Sequence, residues 1–90
     1  MVKRGKIEIT RDILNIIKEN RNLIKTTPLL RKSGLSSKRF KEYYLYLLDR
    51  GLIKEVSINN DEKHITLTEK GFEFLEKYRT IISFIEEFDL

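Results

Sequence analysis

One stretch, Ser36–Ile53 (SSKRFKEYYLYLLDRGLI), constrains this chain more than any other. It opens on hydroxyl residues, whose oxygens accept hydrogen bonds from the free amides at a helix start. Phe40, Tyr44, Leu47 and Leu48 then fall at i, i+4, i+7 and i+8, the spacing of one helical face. Ser37, Lys38, Lys41, Glu42 and Leu45 take the opposite face, with Tyr43 and Tyr46 at the flanks. Gly51 ends the helix and Leu52-Ile53 begins an extended run. The segment before it, TTPLLRKSGL, reads as a short helix and a tight turn. Thr27 is the expected N-cap, Pro28 the first helical residue, Leu29 and Leu30 the inward pair, and Gly34 the left-handed residue of the turn. The segment after it, KEVSINNDEKHITL, reads as a hairpin. Val56 and Ile58 alternate with Glu55 and Ser57, Ile65 and Leu67 with His64 and Thr66, and Asn59–Glu62 supplies turn chemistry.

The two ends complete the pattern. Ile7–Ile17 reads as a first helix with Ile9, Ile13, Ile16 and Ile17 in one stripe, widened by Ile7 and Leu14. An alternative makes KIEI a short strand, with Thr10 capping a later helix. Met1–Gly5 reads as a frayed basic arm. Thr68 is the expected cap of a last helix running to about Phe88, about 20 residues and hence about 30 Å. Leu75, Tyr78, Ile82 and Ile85 are spaced 3, 4, 3, as a and d positions are, and Phe74, Ile81 and Phe88 recur every seven residues beside them. A domain this small offers little to cover the part beyond Tyr78. A second copy is the expected cover, with Leu75, Tyr78, Ile81, Ile82, Ile85 and Phe88 as the homodimer interface. The alternative is a helix folded back over the first. The chain thus divides into a body, 1–68, and a C-terminal dimerisation helix, 69–90, within one domain.

The composition points away from catalysis. Ninety residues make one core. There is no cysteine, a single histidine, and four dispersed glycines, so thiolate metal sites, catalytic dyads and phosphate-cradling loops are all unsupported. No enzyme activity, cofactor, metal or small-molecule substrate is expected. The basic start MVKRGK is followed by no apolar run of seven or more, and no stretch reaches membrane-spanning length, so a reducing, cytoplasmic setting is expected.

Charge is unevenly placed. Residues 1–54 hold 14 Lys/Arg against 5 Asp/Glu, a balance of +9; residues 55–90 hold 4 against 9, a balance of −5, giving the net +4. A basic front suits a polyanion, although two ordinary solvated surfaces would look the same. The sharper signal is at the start of the long helix. There the positive end of the helix dipole coincides with Ser36, Ser37, Lys38, Arg39 and Lys41, a set suited to phosphates and base edges. Tyr43 can add a hydroxyl, and Arg31 and Lys32 at the end of the short helix would flank a groove. In the hairpin, Lys54, Asn60, Lys63 and His64 are further candidates, with weak contact expected from so few cations. The outward helix face carries no Asn or Gln, so limited sequence preference is expected.

The strings GLSS-K-x-F…Y…LL-x-x-GLI and ITLTEKG-x-x-FL, with KIEI…IL…I at the start, resemble archaeal winged-helix regulators. The nearest resemblance is to the ten-kilodalton crenarchaeal DNA-binding proteins of the "ten-a" type, over roughly Lys6–Tyr78. The GLI and LTEKG elements are shared more widely, including by MarR- and PadR-like regulators. The resemblance implies a mainly α winged helix-turn-helix with a small β-hairpin wing and a small strand from Leu23–Thr26 pairing with it. It also implies a long C-terminal helix that dimerises through an antiparallel coiled coil. Double-stranded DNA is the implied partner, with Ser36 to Lys41 as recognition-helix contacts and Tyr78, Ile82 and Ile85 as dimer contacts. The last helix ends at Leu90, which gives a shorter pairing segment than the family's.

Overall fold

A computed structural model describes residues 4–59 and 62–90. The elements run α1 (Lys6–Glu19), α2 (Thr26–Ser33), α3 (Ser37–Asp49), β1 (Ile53–Ile58), β2 (Glu62–Leu67) and α4 (Glu69–Glu87). β1 and β2 form an antiparallel hairpin in the register Ile53↔Leu67 to Ile58↔Glu62, and Ile24 adds one bridge to Ile65 on the other edge of β2. The small strand expected from Leu23–Thr26 is reduced to this single bridge at Ile24, because Thr26 already belongs to α2.

One core unites these elements. Ile9, Ile13, Leu14 and Ile17 of α1, Leu29 of α2, Phe40 and Leu47 of α3, and Ile53, Ile65 and Leu67 of the hairpin are all buried in it. Burying a side chain of this size contributes about 2 kcal/mol, and α3 contributes two such anchors. α1 is helical from Lys6, so KIEI is not a strand, and Thr10 is buried rather than capping a helix. Ile7 does not widen the apolar stripe: it is 60% exposed, because it lies on the flank of α1 turned away from the core. α2 also begins earlier than its sequence suggests. Lys25 is the N-cap and no side chain caps the helix. The Ile24–Ile65 bridge holds the chain extended up to that point, and Leu29 is the first residue whose amide closes a turn, on the Lys25 carbonyl (3.2 Å). Pro28 therefore still sits among the first amides that a helix leaves unpaired, where its missing N–H costs nothing.

Polar contacts join the elements end to end. Asn20 and Asn22 do more than end α1: Asn20 Nδ2 donates to the Leu23 carbonyl (2.7 Å), and Asn22 Oδ1 accepts from the Leu67 amide (2.7 Å). Asn22 has a φ of 57°, a left-handed value that asparagine tolerates. Gly34 ends α2 at a φ of 72°. Thr68 caps α4 by accepting from the Gly71 amide (3.1 Å), while its own hydroxyl donates to the Gly51 carbonyl (2.6 Å). At Gly71 a Cβ would lie 2.3 Å from the Leu52 carbonyl oxygen, so only glycine lets α4 approach the base of the hairpin this closely. Thr66 departs from strict alternation and is buried alongside Ile65 and Leu67.

α4 leaves the body about halfway along its length. Leu75 is buried and Tyr78 half-buried, but every residue from Arg79 to Leu90 is exposed. The molecule is accordingly elongated, 50 × 27 × 22 Å. Leu75 belongs to the core of its own chain and is not free for a partner, because the first two turns of α4 pack on α1.

Candidate nucleic-acid interface

α3 is the element that organises the candidate site. Its buried face, Phe40 and Leu47 with half-buried Tyr43, Tyr44 and Leu48, packs inward. Ser37, Lys38, Lys41, Glu42 and Leu45 are exposed. Ser36 accepts from the Arg39 amide (3.2 Å) and so satisfies one of the unpaired amides at the helix start, as expected. Lys38, Arg39 and Lys41 are exposed beside it, and none of the three is in an ion pair among the described residues. At the positive end of the helix, Lys38 thus faces solvent with Arg39 and Lys41 exposed on either side of it.

The other candidates divide into groups. Arg31 and Lys32 are exposed in the last turn of α2, and Lys32 donates to Asn20 Oδ1 (3.4 Å). Tyr43, expected to offer its hydroxyl, is half-buried and packs against the core. In the hairpin, strand alternation places Lys63 on the face that carries Ile53 and Ile65, and Lys54 and His64 on the opposite face. Lys63 pairs with Glu55 (3.7 Å), and His64 Nδ1 lies 3.3 Å from the Glu62 carbonyl. Asn60 lies outside the described residues.

Several participants were not legible in the pattern of residues. Arg4 is not part of a loose arm: it pairs with Asp12 (2.9 Å) and donates to the Ser33 carbonyl (3.2 Å), tying α1 to the end of α2. Met1–Lys3 lie outside the described residues. Lys6 Nζ sits 4.2 Å from the centre of the Tyr46 ring, and the Arg50 guanidinium lies 4.8 Å from it. With Arg39, Glu42 and Tyr43, Lys6 and Tyr46 line a cleft of 270 Å³ along one flank of α3. A lysine at the start of α1 has no sequence signal that would place it beside a residue forty positions on.

The wing is held to α3 by one carboxylate. Glu55 accepts from the Tyr44 hydroxyl and pairs with Lys63, so helix, first strand and second strand meet at a single side chain. No group of acidic, histidine or cysteine residues suited to a metal ion occurs among the described residues, and no helix there is long and apolar enough to cross a membrane.

Comparison with known proteins follows the same lines. The family model described as winged helix-turn-helix matches residues 3–86. Among solved structures, Sso10a-2, a DNA-binding protein from Sulfolobus solfataricus, is similar with a TM-score of 0.73 and 25% identity, covering 94% of this chain and 85% of that one. F-93 of SSV1 is similar with a TM-score of 0.65 and 24% identity, covering 96% and 99%. No curated protein matches the chain significantly.

The Tyr44–Glu55 contact has a pH signature. Burial first, then the hydrogen bond to Glu55 and its negative charge, raise the Tyr44 hydroxyl above its ordinary value. A group whose pKa is higher folded than unfolded stabilises fully below the unfolded value, about 10 for tyrosine, and loses that contribution as pH rises through the folded value. Alkaline titration followed by tyrosinate absorbance is expected to show a late-ionising tyrosine that is missing from Tyr44→Phe. A variant that loses instead a tyrosine ionising at the ordinary value would show that the hydroxyl is not packed against Glu55.

Proposed function

The chain belongs to the winged helix-turn-helix family, and from that premise we propose that it binds double-stranded DNA as a homodimer and regulates transcription. The observation that carries the reading is the start of α3: a serine-capped, positive helix end flanked by exposed, unpaired Lys38, Arg39 and Lys41. In a major groove this end brings amides, hydroxyls and ammonium groups to phosphates and base edges. Arg31 and Lys32 reach the flanking backbone, and Lys63 on the wing reaches the neighbouring groove. Lys54 and His64, on the other face of the hairpin, contribute less. The similarity to a DNA-binding protein of Sulfolobus solfataricus supports the same partner.

The homodimer reading rests on α4. Ile81, Phe84 and Phe88 are each more than half exposed, and Ile82 and Ile85 lie at 36%. These side chains extend the stripe that packs on α1 nearer the body. A continuous apolar surface of this kind marks an interface. A second copy supplies a matching one under two-fold symmetry, with Tyr78, Ile81, Ile82, Ile85 and Phe88 as contacts. Two copies of α3 about 34 Å apart would then meet successive major grooves on one side of the duplex.

Binding to random duplex at two salt concentrations tests the partner. A steep loss with salt together with a preferred site is the result a regulator gives. A steep loss without a preferred site favours a low-specificity architectural protein, and no binding favours a protein-interaction scaffold. Lys38→Glu combined with Lys41→Glu is expected to abolish binding at 150 mM salt while shifting the melting temperature by no more than about 3 °C, since both side chains are exposed. A large loss of stability would mean that the helix face is misassigned.

Sedimentation tests the assembly. The wild type is expected to run as a dimer, and Ile82→Asp with Ile85→Asp as a folded monomer with unchanged helical content. A monomeric wild type, or an unaltered mass for the variant, removes the dimer from the account.

A further inference from the structure

The outward stripe of α3 changes character along its length. Lys38 and Lys41 occupy its first turns. Leu45 follows, four residues after Lys41 and seven after Lys38, with Glu42 one turn before it and Asp49 one turn after. Leu45 is 53% exposed, and it belongs neither to the core nor to the partly buried side chains packed against it. Glu42 and Asp49 are exposed and in no ion pair among the described residues. The second half of α3 is therefore an alkyl group between two carboxylates, a surface that phosphates repel.

Such a surface fits a different part of the duplex. Base edges in the major groove offer amino donors on cytosine and adenine, which carboxylates accept. They also offer one apolar group, the methyl on C5 of thymine. Leu45 stands about 10 Å along the helix from Lys38, or about three base-pair steps. Lys38 on backbone or base edge and Leu45 on a methyl group are thus compatible with one helix lying in one groove. Resting on the DNA-binding reading above, we propose that Leu45 reads the 5-methyl group of thymine and gives α3 a sequence preference its cations do not provide.

The test is a pair of random-sequence duplex pools at one salt concentration, one made with thymine and one with uracil, which pairs identically but lacks the methyl. The wild type is expected to bind the uracil pool about fourfold more weakly for each α3 engaged, the worth of one buried methyl. Leu45→Ala, a change that preserves helix propensity, is expected to bind the two pools equally and to keep the wild-type salt dependence. Equal wild-type binding to both pools overturns the assignment, as does a preference that persists in Leu45→Ala. A third pool with 5-methylcytosine in place of cytosine separates the two sources of such a methyl. A gain there without a loss on uracil assigns the contact to cytosine and overturns the thymine reading. Absence of binding to any pool removes the DNA-binding reading itself, and this inference with it.

Discussion

The candidate site depends on how Phe40 and Leu47 are seated. They are the buried residues of α3, and they fix both the position of the helix and its rotation about its own axis. A turn of about 100° per residue then dictates the rest: once Phe40 points inward, Lys38 points outward and Lys41 lies on the flank beside it, both exposed. The apolar side of α3 thus determines what its charged side presents, although no charged residue takes part in that packing. The helix start also faces solvent, and Ser36 satisfies one of its amides locally. The remaining amides and the positive dipole end are left for an external acceptor.

Polar contacts between elements set the wing and the last helix relative to α3. Glu55 joins Lys63 within the hairpin and Tyr44 on α3, so the hairpin cannot swing away from α3 without breaking the Tyr44 contact. Asn22 pairs with the Leu67 amide, and Thr68 with the Gly51 carbonyl, each close to a strand end. Each of these bonds adds about 1 kcal/mol, so they refine the geometry of a fold whose stability comes from the shared core.

The fold was legible wherever the information is periodic. The stripes of α1 (Ile7 apart) and α3, the alternation of β1, the cap residues Ser36 and Thr68 and the turn at Gly34 all act over a few residues, and appear where the pattern places them. Readings failed where distant residues decide. Thr27 looked like an N-cap, but the Ile24–Ile65 bridge starts α2 earlier. Leu75 matched the spacing of an intermolecular contact, yet the same spacing serves packing on α1, and periodicity alone cannot tell a chain's own core from its partner's. Arg4 and Lys6 gained roles that exist only because α1 begins beside the end of α2 and the flank of α3. Of the candidate site, the cluster from Ser36 to Lys41 was readable because a cap and its neighbouring charges are contiguous. The division of the wing residues between two faces required the hairpin register.

α4 links these parts to assembly. Its first half completes the core and its second half stands clear of the body with aromatic and aliphatic side chains exposed, so one helix serves both the fold and the proposed pairing. On the proposed reading, the duplex meets the start of α3. Backbone amide shifts of isotopically labelled protein, followed during titration with duplex DNA, test it most directly. The largest perturbations are expected at Ser36–Lys41, smaller ones in the last turn of α2 and in the wing, and little change beyond Arg79. Perturbations concentrated on α4, with α3 unmoved, would contradict it.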